Sequence, residues 1–288
     1  DKYFTPFLSP NANHSFQAKE RDEIEPAHNE GLPVVPQILT NSSEHFIWCA
    51  RELHARGYGE VNLNLGCPSG TVVAKEKGSG LLRNPDRLEA FLANVCERSP
   101  LPVSVKTRVG IANDDEYDEL LALFCRCGIA ELIVHPRVQK DFYSGAPRQE
   151  LYGKTLELAP FPVAYNGDIF TLGDYDALLA AYPQTRHVMI GRGIVANPAL
   201  ARMIRGGAGF TREELKRFHD KLYESYTDNM GGNAVFRMKE WWSYAEHAFA
   251  DPPSVHRIMR KTRRADEYEA AARKIFSTES LADSPRFS

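Results

Sequence analysis

Cys67 lies next to last in the run Val61-Asn62-Leu63-Asn64-Leu65-Gly66-Cys67-Pro68. The first five residues alternate branched apolar with amide side chains, the pattern of a strand. Gly66 and Pro68 then break it, so the thiol belongs on a loop just past a strand's C-terminal end. Lys75, Lys77, Gly78 and Gly80 make that loop long, basic and glycine-rich. A free thiol titrates near about 8.5 and stays mostly protonated at neutral pH, so such a loop can present a proton donor. The plain alternative is a buried cysteine before a turn-forming proline.

Other strand ends carry further chemistry. Lys106 and Arg108 alternate in Val103-Ser104-Val105-Lys106-Thr107-Arg108 and point the same way. A buried unpaired ammonium is costly. Lys106 therefore suits stabilising an anionic ring, binding phosphate or forming a Schiff base, with a carboxylate partner as the structural alternative. His135 and Arg137 follow the strand Leu132-Ile133-Val134, and Arg137 suits phosphate. Gln37, in Val34-Val35-Pro36-Gln37-Ile38-Leu39, offers an amide that donates and accepts, as a heterocycle's imide edge requires. Asn166-Gly167-Asp168 and Gly191-Arg192-Gly193 close two more strands. The second triplet lets backbone N–H groups approach a phosphate with a helix start behind them, or is simply a tight turn.

Amphipathic helices must position these ends. Asn41 is read as the cap of one helix, with Glu44 reaching back, Phe46, Ala50 and Leu53 on one face, and Gly57 at its end. Asn84-Pro85 starts another, with Leu88, Phe91, Leu92 and Val95 on one stripe. Helices through Tyr117 to Phe124 and Tyr175 to Tyr182 follow the same pattern. Counting a short opening strand at 3–9, seven strands alternate with helices, which predicts a parallel sheet. An open doubly wound sheet concentrates its site at one switch point. Here polar residues follow nearly every strand, as on the single active face of a (β/α)8 TIM barrel. On that reading one β/α unit, the first, is absent. Gly206-Gly207-Ala208-Gly209 reads as a linker, giving a barrel over 1–205 and a small all-α domain over 210–288. Thr211 with Glu214 forms a capping box there, and Phe210 with Leu215 a hydrophobic staple.

The composition is ordinary: 288 residues, 43% apolar, 25% charged, formal charge −3. Any nucleic-acid contact must then come from a local patch. Residues 237–274 supply one, with nine Lys or Arg against six acids, densest from Arg257 to Arg264. A solvated helix face is its plain alternative. Five cysteines form no CxxC pair, which argues against a disulfide framework or a zinc site and fits a reducing cytoplasm. No apolar run is long enough for a membrane span and no signal peptide is visible.

Together the motifs resemble the tRNA-dihydrouridine synthase family of flavin-dependent barrels. The resemblance rests on Leu63-Asn64-Leu65-Gly66-Cys67-Pro68, Val105-Lys106-Thr107-Arg108, His135-x-Arg137 with Tyr143-x-Gly145, Asn166-Gly167-Asp168, and Met189 to Gly193 followed by Asn197-Pro198. Two departures stand out: no opening Ala-Pro-Met-like flavin loop, and Pro136 and Val138 where the family usually has Gly and Thr. The resemblance implies FMN across the barrel mouth, with Gln37, Lys106 and His135 at its ring. It places Asn166, Gly167, Asp168, Gly191, Arg192 and Gly193 at the phosphate end. It implies NADPH as reductant, hydride delivery to C6 of a tRNA uracil, and Cys67 as the acid at C5. Asn64, Arg108 and Arg137 would face substrate or flavin, and Lys75 with Lys77 would touch RNA phosphate. A monomer without metal, in the cytoplasm, is expected. Other readings of the same residues are a Schiff-base aldolase on Lys106, a dihydroorotate-type FMN dehydrogenase, and a non-catalytic RNA-binding barrel.

Overall fold

The computed structural model describes residues 1–283 and 285. The chain forms two compact units: Asp1–Gly167 with Gln184–Met189, and Asp168–Pro183 with Ile190–Ser288. The linker expected at Gly206 to Gly209 lies inside the second.

The first unit is built on parallel strands. β1 (Tyr3–Phe4) pairs with β2 (Val34–Val35). β3 (Gln37–Ile38), β4 (Val61–Leu65), β5 (Val103–Arg108), β6 (Glu131–His135), β7 (Val163–Tyr165) and β8 (His187–Val188) form a six-stranded parallel sheet in that order. Leu8 bridges Ile38 in parallel, so the opening segment runs beside both β2 and β3. Seven strand positions therefore follow one another, as the sequence predicts. The run at 34–39 is not one continuous strand. Pro36 has no N–H, and the ladder divides there, with β2 joined to β1 and β3 joined to β4.

Helices connect successive strands. Ser43–Ala55 buries Phe46, Ala50 and Leu53, and Pro85–Arg98 buries Leu88, Phe91, Leu92 and Val95. The second starts as expected, with Asn84 accepting from Arg87 N at 3.0 Å and Pro85 in the first turn. The first does not. Its cap is Ser42, which accepts from His45 N, while the Asn41 amide donates to the Lys75 carbonyl at 3.0 Å. A long-range partner has taken the side chain that local spacing assigned to the cap.

Register places the polar side chains on one face. Gln37 lies beside Asn62, Asn62 beside Ser104, and Ser104 beside Glu131. Two residues on, Asn64 lies beside Lys106, and above that Arg108 beside His135. The alternate residues Leu63, Val105, Leu132 and Val134 are fully buried on the opposite side, where the connecting helices pack. At the strands' N-terminal ends, Glu131 joins Lys2 at 2.9 Å and His187 at 3.1 Å.

The second unit is helical. It contains Leu172–Ala181, the short helices Arg192–Ala196 and Leu200–Ile204, and four longer ones: Arg212–Met230, Ala234–Ala245, Pro252–Met259 and Ala265–Thr278. Thr211 and Glu214 close the expected capping box. The core surrounds Trp242, whose indole donates to the Tyr268 hydroxyl at 3.0 Å. That hydroxyl donates in turn to His219 Nε2 at 2.6 Å. No helix among the described residues is long and apolar enough to cross a membrane.

Candidate active site

Cys67 lies two residues past β4, partly exposed on its loop. The Asn64 side-chain oxygen Oδ1 accepts from Gly66 N at 3.1 Å and Cys67 N at 2.9 Å. The Cys67 carbonyl accepts from Ser79 N at 3.2 Å and from the Ser79 hydroxyl at 2.8 Å. Ser79 is fully buried, and only its place among glycines marks it in the sequence. Gly78 has φ +56, and a Cβ there would come within 2.9 Å of the Cys67 carbonyl oxygen and 3.0 Å of its Cβ. Gly78→Ala therefore strains its own backbone and pushes the thiol. We expect a loss of about 1–3 kcal/mol in urea unfolding together with altered Cys67 alkylation. Unchanged alkylation in a folded Gly78→Ala protein would refute the tie.

The other four cysteines lie on the helices or just past one. Burial pushes the Cys49 thiol far up, Cys96 to about 12 and Cys127 to about 11, and raises Cys125 as well.

Lys106 is half-buried on β5, and a Cβ on Gly66 would lie 3.8 Å from its Nζ. Burial, then like-charge repulsion from Arg108, pulls the ammonium down to about 8, while Cys67 acts the other way. No carboxylate among the described residues pairs with it. His135 is also buried. Burial, followed by the charges of Lys106, Arg108 and Arg137, drives it down to about 2, so it is neutral at working pH. Its tautomer follows from the network. Asn166 donates to the Met189 carbonyl at 2.8 Å and so turns its oxygen to His135 Nδ1, at 3.4 Å. Arg137 donates to Nε2 at 3.4 Å. Nδ1 therefore carries the proton.

The family resemblance places Arg108 and Arg137 at substrate or flavin. In the structure both guanidinium groups are buried, 2% and 1% exposed, and donate to main-chain carbonyls. Arg108 holds Gly66 at 2.9 Å, Val138 at 2.9 Å and Phe142 at 2.6 Å, and lies 5.5 Å from the Tyr143 ring centre. Arg137 holds Ser144 and Gly145. Arg108 ties the loop after β6 to the loop of Cys67, and Arg137 closes the loop after β6 on itself. Gln37 is fixed as well: it donates to Asn62 at 2.8 Å and accepts from Asn64 at 2.7 Å. One N–H and one lone pair of its amide remain for a ligand. Lys75 is exposed on the cysteine loop and Lys77 is partly exposed.

Asn166 and Gly167 end β7 in the first unit; the remaining phosphate candidates belong to the second. There Asp168 has φ +40 and accepts from Arg192 at 2.7 Å, and Arg192 also lies 5.3 Å from the Phe170 ring centre. Gly191 is exposed. A Cβ at Gly193 would sit 2.0 Å from the Ile169 carbonyl oxygen, so only glycine fits.

The first unit thus defines a parallel β/α protein with a thiol, a lysine that no described carboxylate pairs and a neutral histidine toward the C-terminal ends of consecutive strands. The sequence model of the family described as dihydrouridine synthase (Dus) matches residues 1–272. The chain belongs to that family, whose fold is a TIM barrel followed by a helical domain. The tRNA-dihydrouridine(16) synthase of Neisseria meningitidis serogroup A is 29% identical over 252 residues, covering 82% of this chain and 74% of the relative. That of Cupriavidus necator is 29% identical over 265 residues, covering 83% and 76%. A probable tRNA-dihydrouridine synthase of Staphylococcus aureus is 34% identical over 241 residues, covering 78% and 70%.

Proposed function

We propose that this protein reduces uridines in tRNA to 5,6-dihydrouridine, with FMN as bound cofactor and NADPH as reductant. The observation that carries the reading is Cys67 on its tethered loop, beside an ammonium that no carboxylate among the described residues neutralises. Lys106, beside the Arg108 guanidinium and a neutral histidine, has no carboxylate partner among the described residues, and an anionic ring supplies one. Gln37, with its remaining donor and acceptor, suits the imide edge of that ring. The phosphate end is assigned to Asn166, Gly167, Asp168, Gly191, Arg192 and Gly193 by the family's motifs.

When bound, FMN supplies hydride for C6 of the uracil. The chain's own residues do the rest. Addition at C6 leaves enolate-like charge on the C5–C4–O4 system, and the Cys67 thiol gives its proton to C5. Lys106 favours negative charge at the ring it faces. The uracil must leave its stack to reach strand ends, which requires a grip on the RNA. Lys75 and Lys77 serve it beside the thiol. In the second unit Arg257, Arg260, Lys261 and Arg263 are exposed and have no carboxylate partner among the described residues. Reversing three of them, Arg257→Glu, Arg260→Glu and Lys261→Glu, should weaken tRNA binding by about tenfold or more. It should also flatten its dependence on salt by about one unit of slope per lost phosphate contact. Filter binding across a salt series measures both, and an unchanged slope would remove this patch from the interface.

The direct test supplies the purified protein with NADPH and tRNA lacking dihydrouridine, then digests the RNA and weighs its nucleosides. A gain of two hydrogens on uridine is expected, from a yellow protein. A colourless protein whose Lys106 is trapped by borohydride on a carbonyl substrate would overturn the reading in favour of an aldolase.

A further inference from the structure

Beneath the thiol, buried side chains form a chain of hydrogen bonds with a single consistent direction. Two main-chain donors, Gly66 N and Cys67 N, need an acceptor, so Asn64 turns its oxygen to them. Its amide nitrogen then faces the Gln37 oxygen at 2.7 Å. Gln37 Nε2 consequently meets the Asn62 oxygen at 2.8 Å. Asn62 Nδ2 meets Ser104 Oγ at 3.0 Å, and the Ser104 proton points to the Val61 carbonyl at 3.4 Å. Asn62 and Ser104 are 0% exposed and Gln37 and Asn64 are 8% exposed, so water offers little alternative pairing. Turning any one amide over would bring like groups face to face, with the cost of unsatisfied buried donors.

We propose that Asn62 and Ser104, a layer below the reacting groups, are positioning residues for the Cys67 thiol, acting through Gln37 and Asn64. The proposal rests on the reading of Cys67 as the proton donor. Neither residue reaches the reacting atoms. Ser104 fixes which way Asn62 faces, Asn62 fixes Gln37, and Gln37 fixes the Asn64 oxygen against the two N–H groups that set the cysteine loop. The same relay holds the Gln37 amide in one orientation toward any ring above it.

The test reads the thiol without needing turnover. Alkylation of Cys67 by iodoacetamide, followed by peptide mass in the purified full chain, reports the thiol's mobility and setting. Asn62→Leu removes both joints and should change that rate by at least about fivefold, the population shift of one lost buried hydrogen bond. Asn62→Asp, held protonated by its full burial, keeps an acceptor for Gln37 and a donor for Ser104, so it should keep the wild-type rate. Ser104→Ala, a small deletion, frees Asn62 to turn and should fall between the two; it carries the test if Asn62→Leu does not fold. With tRNA and NADPH, kcat should fall in the order of altered alkylation while KM for tRNA stays. Equal alkylation in wild type, Asn62→Leu and Ser104→Ala would overturn the proposal, as would an equal change in Asn62→Asp and Asn62→Leu. Such a result with normal dihydrouridine formation removes the relay alone. A wild-type protein that binds no flavin and forms no dihydrouridine removes the functional reading alone.

Discussion

Cys67→Ala should lower dihydrouridine formation by about 100- to 10,000-fold, the range that removal of a general acid produces, while the protein still binds FMN and tRNA. The size follows from the role proposed for the residue. Charge left on the uracil after hydride addition has to be quenched at C5, and the structure places one tethered thiol at this strand end. The loop does not depend on the thiol for its shape: Asn64, Ser79 and the Gly78 turn hold its main chain. Alanine should therefore fold alike, with a melting temperature near that of the parent. Absorbance of bound flavin checks the cofactor, filter binding checks the RNA, and nucleoside mass checks the product. Cys67→Ser is a sharper control, because a hydroxyl is a far weaker acid than a thiol and should not rescue turnover. Product formation at the parent rate in either variant would take Cys67 out of the mechanism.

Features visible in the sequence were those decided within a few residues. Asn84 before Pro85, and Thr211 three residues before Glu214, are caps whose partners are local main-chain N–H groups, and both are made. The stripe Leu88, Phe91, Leu92 and Val95 is buried as its spacing requires. What the sequence hid depends on distant partners. Asn41 looks like a cap until the Lys75 carbonyl, 34 residues away, takes its amide. The resemblance places Arg108 and Arg137 at substrate or flavin. Only the fold shows that the carbonyls of Gly66, Val138, Phe142, Ser144 and Gly145 occupy them. A signal for the relay was present in outline: Asn62 and Asn64 share one face of an otherwise apolar strand, and such amides persist in a core only when paired. Their partners, Gln37 and Ser104, lie on neighbouring strands and could not be named without the register.

Lys106→Met should make the flavin-free protein more stable and the working enzyme worse. The folded-state pKa of Lys106 is lowered from 10.5 to about 8, because burial and Arg108 disfavour its charge. Below about 8 the side chain is charged in both the folded and unfolded chain, and folding carries the full penalty. Between about 8 and 10.5 the unfolded chain binds the proton and the folded one does not, so stability rises with pH across that window. At neutral pH the methionine variant escapes the penalty, a gain of about 1–3 kcal/mol after allowance for solvent screening at a half-buried group. The gain should vanish as pH approaches 10.5. FMN should reverse the comparison, since an anionic partner relieves the ammonium in the parent and finds nothing in the variant. Urea unfolding with and without FMN, at neutral and alkaline pH, measures all of this. If FMN stabilises parent and variant equally, Lys106 does not face the ring; if the variant is less stable without FMN at neutral pH, the lysine has a partner and its charge is structural. On the proposed function, the anionic ring is what offsets the cost of a cation kept next to the thiol.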